Sequence, residues 1–147
     1  MIDMSELREI HPVLCYAPKG DTVTFKAIEN LIKKEANKYG VPVAFAHDEI
    51  ISDNDGSIVI EDCLIVFHPE HIHDYIKIVF RIKRDGDKAF IIKNEYGTSP
   101  RMTSTDMFEE ASKLRNSFMQ IVENDKELEV EKRYYLAIHS IFKYVKC

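Results

Sequence analysis

The middle of the chain, residues 43–96, alternates strand-like segments with turn sequences, and it constrains the fold more than any other stretch. Three turn sequences interrupt it: Asp-Asn-Asp-Gly at 53–56, His-Pro-Glu-His-Ile-His at 68–73 and Arg-Asp-Gly-Asp at 84–87. An Asp-Gly pair between apolar segments allows positive φ at the central residues of a tight hairpin. The sequence therefore predicts four consecutive β-strands that pair as an antiparallel meander over 43–96.

The predicted strands differ in their hydrophobic patterns. The third strand alternates between two sets of residues, Ile76, Ile78, Phe80 and Ile82 on one face and Tyr75, Lys77, Val79, Arg81 and Lys83 on the other. This period of two is typical of a strand with one buried face and one solvent-exposed face. The second strand, 57–67, is apolar on both faces, which predicts a central or doubly covered position. The shorter fourth strand, 88–96, is a candidate edge strand.

Helical periodicity flanks the strands on both sides. Before them, Asp21 is a candidate helix cap and Gly40 a stop signal, which predicts a helix over 21–40. After them, apolar residues recur at helical spacing in two segments, which predicts two helices within 103–146.

These elements predict a single α+β domain over residues 1–147. Consecutive antiparallel strands with helices at both ends of the chain form two layers, so the N-terminal helix and the two C-terminal helices are expected on the apolar face of the sheet. The N-terminal arm, 1–20, combines a candidate short helix at 5–10 with an extended segment at 12–17 and is expected to lie against the core.

Composition limits the classes of partner. The chain is 45% hydrophobic and 31% charged, and no apolar segment is long enough to cross a bilayer. The acidic start lacks the apolar segment of a secretory signal, so a cytoplasmic location is expected. Three cysteines without paired spacing fit reduced thiols. A net charge of -5 argues against a protein that coats nucleic acid.

Three histidines in the second turn sequence form the sharpest polar cluster. His68, His71 and His73 lie close to Cys63 and Asp74 in the sequence. Imidazole is the commonest zinc ligand, and a tight connection could bring two or three of its nitrogens within about 2.1 Å of one ion. A metal site at His68, His71 and His73, with zinc as the candidate cofactor, is therefore one hypothesis. A solvated turn is the simpler interpretation, since zinc sites usually add a second group of ligands elsewhere.

The common enzyme signatures are absent from the sequence. The five glycines stand singly at turns and helix ends, so no glycine-rich loop is present to hold a phosphate. Neither Gly-x-Ser-x-Gly nor His-Glu-x-x-His occurs, and no cysteine has the sequence context of a nucleophile. The sequence favours a non-catalytic protein on these grounds.

Two predicted surface features are suited to binding. On the third strand, Lys77, Arg81 and Lys83 could hold an acidic peptide or a single-stranded nucleic acid, although a solvated lysine-bearing face is the simpler interpretation. The last helix carries Tyr134 and Tyr144 and spreads its apolar surface beyond one stripe, so it either lies between layers or contacts another subunit.

The leading hypothesis is a non-catalytic module that binds protein and self-associates as a homodimer or larger species. Its candidate contact residues are Tyr134, Tyr144, Lys77, Arg81 and Lys83. The alternatives are a metal-binding protein or metal-dependent enzyme that uses the three histidines, and a weak nucleic-acid binder that uses the basic strand face.

Overall fold

A computed structural model describes residues 1–17, 22–99 and 126–144. The strands are β1 (Ile2–Asp3), β2 (Arg8–Ala17), β3 (Ala44–Asn54), β4 (Ser57–Phe67), β5 (Lys77–Asp85) and β6 (Lys88–Tyr96). The helices are α1 (Phe25–Tyr39) and α2 (Lys126–His139), and short 3-10 helices cover Met4–Glu6 and Ser140–Tyr144. The α+β class with a mostly antiparallel sheet is confirmed. No helix in these ranges is long and apolar enough to span a bilayer.

The described part of the chain forms one sheet of six strands rather than the predicted four, in the order β1-β3-β4-β5-β6-β2. Two strands come from the N-terminal arm. The short β1 pairs parallel with β3, with Ile2 opposite Ile50, and β2 pairs antiparallel with β6. The prediction that the fourth strand forms an edge is therefore wrong, because β2 covers the outer side of β6.

The tight turn of the first hairpin is confirmed. Asp55 and Gly56 have φ angles of 53° and 88°, so both central residues adopt the left-handed conformation. This conformation matches the twist of the flanking strands and favours glycine at its second position. The side chain of Asp53 accepts a hydrogen bond from the Gly56 amide at 2.9 Å, which closes the turn from the side.

The stop signal of the first helix is confirmed, whereas its start is later than predicted. Gly40 adopts the left-handed conformation with φ 67°, and its amide donates to the last carbonyls of α1. Thr24 caps the other end, where its hydroxyl oxygen accepts from the Ala27 amide at 3.1 Å. The predicted cap, Asp21, lies outside the described residues.

One of the two predicted C-terminal helices is described. The helix α2 and the 3-10 helix that follows it span the second half of the predicted segment. The other predicted helix, in the first half of 103–146, lies outside the described residues.

The sheet face that contacts the helices holds the larger core. Ile28 and Ile32 of α1 and Tyr134, Tyr135 and Ile138 of α2 are buried in it. The strands add alternate residues, namely Leu64, Val66, Ile78, Phe80, Ala89 and Ile91. The period of two correctly predicts which side of β5 meets the helices.

The opposite face of the sheet holds a second, smaller core that the sequence analysis missed. The N-terminal residues Ile2 and Leu7 pack there against four strand residues, Ile50, Cys63, Ile65 and Val79. Val79 is buried in this core and Arg81 is also buried, so the predicted solvent exposure of that face of β5 is wrong at both positions. It is also wrong at Tyr75, which is buried in the larger core. Lys83 and the residues after it in β5 are exposed, as predicted.

The two central hairpins are joined by a short pairing. β3 and β4 pair from Ala44–Phe67 to Asn54–Ser57, and β5 and β6 pair from Lys77–Tyr96 to Asp85–Lys88. Between the hairpins, β4 pairs with β5 only at Leu64–Val66. The sheet is therefore two long ladders held together at a three-residue junction.

Side chains reinforce this junction on both faces. On the helix side, the Tyr134 hydroxyl lies 3.3 Å from the Val66 carbonyl oxygen and 3.1 Å from that of Ile76, and it donates toward both. On the other side, Arg81 donates to Glu61 at 3.0 Å and to Asn94 at 3.1 Å. Tyr134 links the ends of the two ladders, and Arg81 links β4 to β6.

The second core predicts unequal effects of one substitution at two sites in the same hairpin. Ile50→Ala should lower the free energy of unfolding by about 2–5 kcal/mol, because it opens a cavity between the arm and the sheet. Ile60→Ala, at an exposed position, should change it by about 0.5 kcal/mol or less. Urea unfolding of both variants measures the difference, and equal losses would contradict a core on this face.

Candidate functional site

The distal half of the β3–β4 hairpin extends beyond the junction with β5. From Ser57 to Asp62, β4 pairs with β3 on one side, and within the described residues it has no strand partner on the other. We call residues 57–62 the open edge. An unpaired strand edge presents backbone N–H and C=O groups that a further strand can bind.

Three consecutive apolar residues occupy the centre of the open edge. Ile58 is 60% exposed, Val59 44% and Ile60 51%. Neighbouring residues of a strand point to opposite faces, so apolar surface is exposed on both sides of the hairpin. Contiguous exposed apolar surface on a soluble protein commonly marks an interaction site, and a β-branched strand edge is a favoured type.

The hairpin around the open edge is acidic. Residues 44–67 contain no lysine or arginine and six carboxylates, Asp48, Glu49, Asp53, Asp55, Glu61 and Asp62. The Glu61 carboxylate is paired with the Arg81 guanidinium at 3.0 Å. The acidic residues on either side of the apolar triplet raise the electrostatic cost of bringing another acidic chain to this edge.

The structure removes one predicted contact residue from the surface. Tyr134 is fully buried between α2 and the sheet and donates to main-chain carbonyls there. Its predicted role as an exposed partner-binding residue is therefore wrong, and the alternative interpretation, a helix that lies against the sheet, applies to it. The prediction for the Tyr144 side chain lies outside the described part of the structure.

The three predicted basic contact residues do not form a continuous patch. Arg81 is buried and ion-paired, whereas Lys83 is exposed. Lys77 is half-buried at the start of β5, with its Nζ 5.9 Å from the centre of the Phe67 ring. Lys77 and Lys83 are six residues apart, about 20 Å along a strand. The intervening burial of Arg81 separates their charges, which argues against one groove for a nucleic-acid strand.

The structure brings together two of the three predicted metal-binding histidines. The rings of His68 and His71 lie 4.8 Å apart, and with Glu70 they offer three ligand atoms within 4.8 Å of one another. His73 is not part of this group and lines a cavity with Arg8 instead. The predicted trio is therefore not assembled as one site.

Hydrogen bonds within the turn account for much of the arrangement of the two histidines. The Glu70 amide donates to Nδ1 of His68 at 3.2 Å, so the neutral His68 ring carries its proton on Nε2. Burial, and then the proximity of His71, lower the pKa of His68. The His71 ring stacks on Tyr75 at 3.9 Å, and its Nδ1 lies 3.1 Å from the Asp74 carboxylate. These contacts support the interpretation as a structural turn.

Metal binding would require this turn to rearrange. Ligand atoms at about 2.1 Å from a tetrahedral zinc ion lie about 3.4 Å from one another. If Nδ1 of His68 were a ligand, it would give up the bond from the Glu70 amide, and if Nε2 were a ligand, that atom would lose its proton. Cys63, which is close to these histidines in the sequence, lies in the second core on the other side of the sheet. Burial, and then Asp48, raise the pKa of its thiol to about 11, so it is protonated at neutral pH.

Lys93 is a buried ionisable residue that the sequence did not indicate as a site residue. It lies in the interior strand β6 and is 2% exposed. Its Nζ donates to the Tyr135 hydroxyl at 2.7 Å and lies 3.2 Å from Nδ1 of His139. Tyr135 and His139 are four residues apart on α2, so both reach the same ammonium group.

Lys93 and the neighbouring Glu95 have strongly shifted pKa values. Burial lowers the pKa of Lys93 to about 7, and this is opposed by Glu95. Burial likewise raises the pKa of Glu95 to about 7, and this is opposed by Lys93 and Arg8. Both groups therefore change charge near neutral pH, inside the layer between the sheet and α2. Such shifted groups occur at functional sites and in structural networks alike.

The chain matches no protein-family model, no curated protein and no solved structure.

The buried position of Lys93 predicts a specific dependence of stability on pH. The ordinary pKa of 10.5 applies to the unfolded chain, and about 7 applies to the folded protein. Between these values the unfolded chain binds a proton that the folded protein does not. The contribution of Lys93 to the free energy of unfolding should therefore rise with pH, by at most about 1.4 kcal/mol per unit.

Lys93→Met should remove this increase, and Lys83→Met, at an exposed position on β5, should retain it. Loss of the bond to Tyr135 changes the stability of the first variant at every pH, so the informative quantity is the slope between pH 7 and 10.5. Urea unfolding at several pH values measures it. An unchanged slope in Lys93→Met would show that Lys93 is charged in the folded protein throughout this range.

Proposed function

We propose that the protein is a non-catalytic, self-associating module that dimerises through the open edge of β4. The observation that carries the proposal is the exposure of Ile58, Val59 and Ile60 on a strand edge that has no strand partner within the described residues. Pairing of this edge with the same edge of a second copy would satisfy its backbone groups and bury its apolar side chains.

A symmetric antiparallel pairing fits the order of residues on the edge. With the two-fold axis at Val59, this residue lies opposite its own copy and Ile58 lies opposite Ile60 of the second chain. Ser57 then lies opposite Glu61, whose charge is already neutralised by Arg81. Every central cross-strand pair in this register is apolar on both sides, which is the type of pair that stabilises sheets.

The size and charge of the open edge predict a weak dimer. Three central residues per chain make a contact well below the roughly 800 Å² per partner of a standard interface. The same register brings Asp62 close to Asp55 of the second chain, because Asp62 lies opposite Gly56. We therefore expect a dissociation constant on the order of 100 μM, which favours association where the local concentration is high.

Val59→Lys should abolish the dimer. The two-fold axis would place the two introduced ammonium groups against each other and replace the central apolar pair with repelling charges. Val130→Lys is the matched control, since Val130 is also an exposed valine, 39% accessible, and lies on α2. Sedimentation equilibrium from micromolar to millimolar concentration measures the outcome.

The expected result is a concentration-dependent dimer for the wild type and Val130→Lys and a monomer for Val59→Lys. A wild type that stays monomeric at millimolar concentration refutes the proposal, as does an equal loss of association in both variants. Both substitutions are at exposed positions, so thermal unfolding should confirm that the variants remain folded.

The acidic hairpin predicts that salt strengthens the dimer. Screening weakens repulsion between the carboxylates of the two chains, because the Debye length falls from about 10 Å at 0.1 M salt to about 3 Å at 1 M. The dissociation constant should decrease several-fold over this range. An increase would indicate a different contact, between the acidic hairpin of one chain and exposed cations such as Lys83 and Lys88 of the other.

A further inference from the structure

A cavity of about 390 Å³ opens at the end of the sheet where β2 and β5 begin and β6 ends. Its lining includes three basic side chains, Arg8, His73 and Lys77. They come from β2, from the turn after β4 and from β5, so the fold gathers cations from separate elements. A volume of this size is typical of sites for small molecules.

The Arg8 guanidinium is held in place at the wall of the cavity. One of its terminal nitrogens donates to the carbonyl of Gly97, and its Nε is buried with no hydrogen-bond partner among the described residues. The Asn94 side chain donates to the backbone carbonyl of Arg8 at 3.4 Å, which fixes the start of β2. A planar guanidinium in a fixed position can bind a carboxylate or phosphate through two parallel hydrogen bonds.

Lys77 adds a second cation whose position is also restricted. Its stem is half-buried, and its Nζ lies 5.9 Å from the centre of the Phe67 ring. His73 is exposed on the turn and adds a third positive charge when its imidazole is protonated. Tyr96 and Thr98 add hydroxyl groups to the lining.

Glu6 is the one carboxylate among the described residues that line the cavity. It is exposed and caps the 3-10 helix of the N-terminal arm, where its Oε1 accepts from the Asp3 amide at 3.4 Å. Burial, and then the charge of Glu6 and its hydrogen bond with Tyr96, raise the pKa of that phenol. Arg8 and Lys77 therefore outnumber the one carboxylate of the lining. Glu95 also interacts with Arg8, but burial raises its pKa to about 7, so it offsets the Arg8 charge only in part at neutral pH.

We propose that this cavity binds a small organic molecule through an oxyanion group, carboxylate or phosphate, which is held by Arg8 and Lys77. The buried ring of Tyr75 and the side chain of Ile72 line the same cavity and would contact the apolar part of the ligand. The site lies at the opposite end of β4 from the open edge, so the proposal goes beyond self-association and does not depend on it.

Titration of the ¹⁵N-labelled protein with inorganic phosphate tests the site. Saturable chemical-shift changes are expected at the amides of Lys77, Gly97 and Thr98, and sodium chloride at equal ionic strength should not reproduce them. Acetate serves as the carboxylate probe and should shift the same amides. Absence of saturable changes with both probes would overturn the proposal.

Lys77→Met should weaken phosphate binding about tenfold, which corresponds to the loss of one charge-assisted hydrogen bond. Lys83→Met is the matched control, because it removes the same charge from the same strand outside the cavity. Salt screens this distant charge, so the affinity for phosphate should change less than about twofold. Equal effects of the two variants would show that phosphate is attracted by the overall charge of the protein, and would refute a site in the cavity.

Arg8→Lys provides a second variant that keeps the charge and removes the planar fork. It should weaken phosphate binding several-fold while the rest of the amide spectrum stays unchanged, which shows that the fold is retained. Wild-type affinity in this variant would exclude Arg8 as the residue that holds the anion.

Discussion

Three backbone positions of β4, Leu64–Val66, pair with β5 and thereby unite two ladders that are each at least three times as long. So short a pairing depends on side chains for support. Tyr134 supplies it on the helix side by donating to carbonyls at the ends of both ladders, and Arg81 supplies it on the other side. The shortness of this pairing also creates the open edge, because residues 57–62 of β4 extend beyond the point where β5 diverges from it. The stability of the sheet and its candidate interaction surface therefore have one structural origin.

The local parts of the fold could be predicted from the sequence, and the non-local parts could not. Asp55-Gly56 encodes its turn through positive φ angles, and Gly40 ends its helix for the same reason, so both predictions are confirmed. The pairing of β2 with β6 joins segments about 80 residues apart and has no local signal. The second core was missed for this reason too, since the cover over Val79 comes from the N-terminal arm. Lys93 is buried beneath α2 because β6 is an interior strand, and this position of β6 follows from the same distant pairing.

The same distinction explains the outcome for the candidate sites. The apolar run in β4 predicts burial, and this holds for Leu64 and its neighbours, but exposure of Ile58 depends on where β5 stops pairing. The turn after β4 brings His71 back to His68 through a bond from the His71 amide to the His68 carbonyl, and the chain then carries His73 away to another surface. The basic cavity could not be predicted, because its cations are distant in sequence and become neighbours only when β2 and β5 begin at the same end of the sheet.

The polar contacts around Arg81 also have a consequence for how the chain finds its native alignment. Glu61, Arg81 and Asn94 lie on three neighbouring strands, and Asn94 donates in turn to the main chain of Arg8 on the fourth. A slip of one residue in β5 would turn the Arg81 guanidinium into the apolar layer under the helices. It would also leave the Glu61 carboxylate and the Asn94 amide without this hydrogen-bond partner. Misaligned sheets are therefore penalised at the junction itself, where only three backbone positions would otherwise discriminate between alignments.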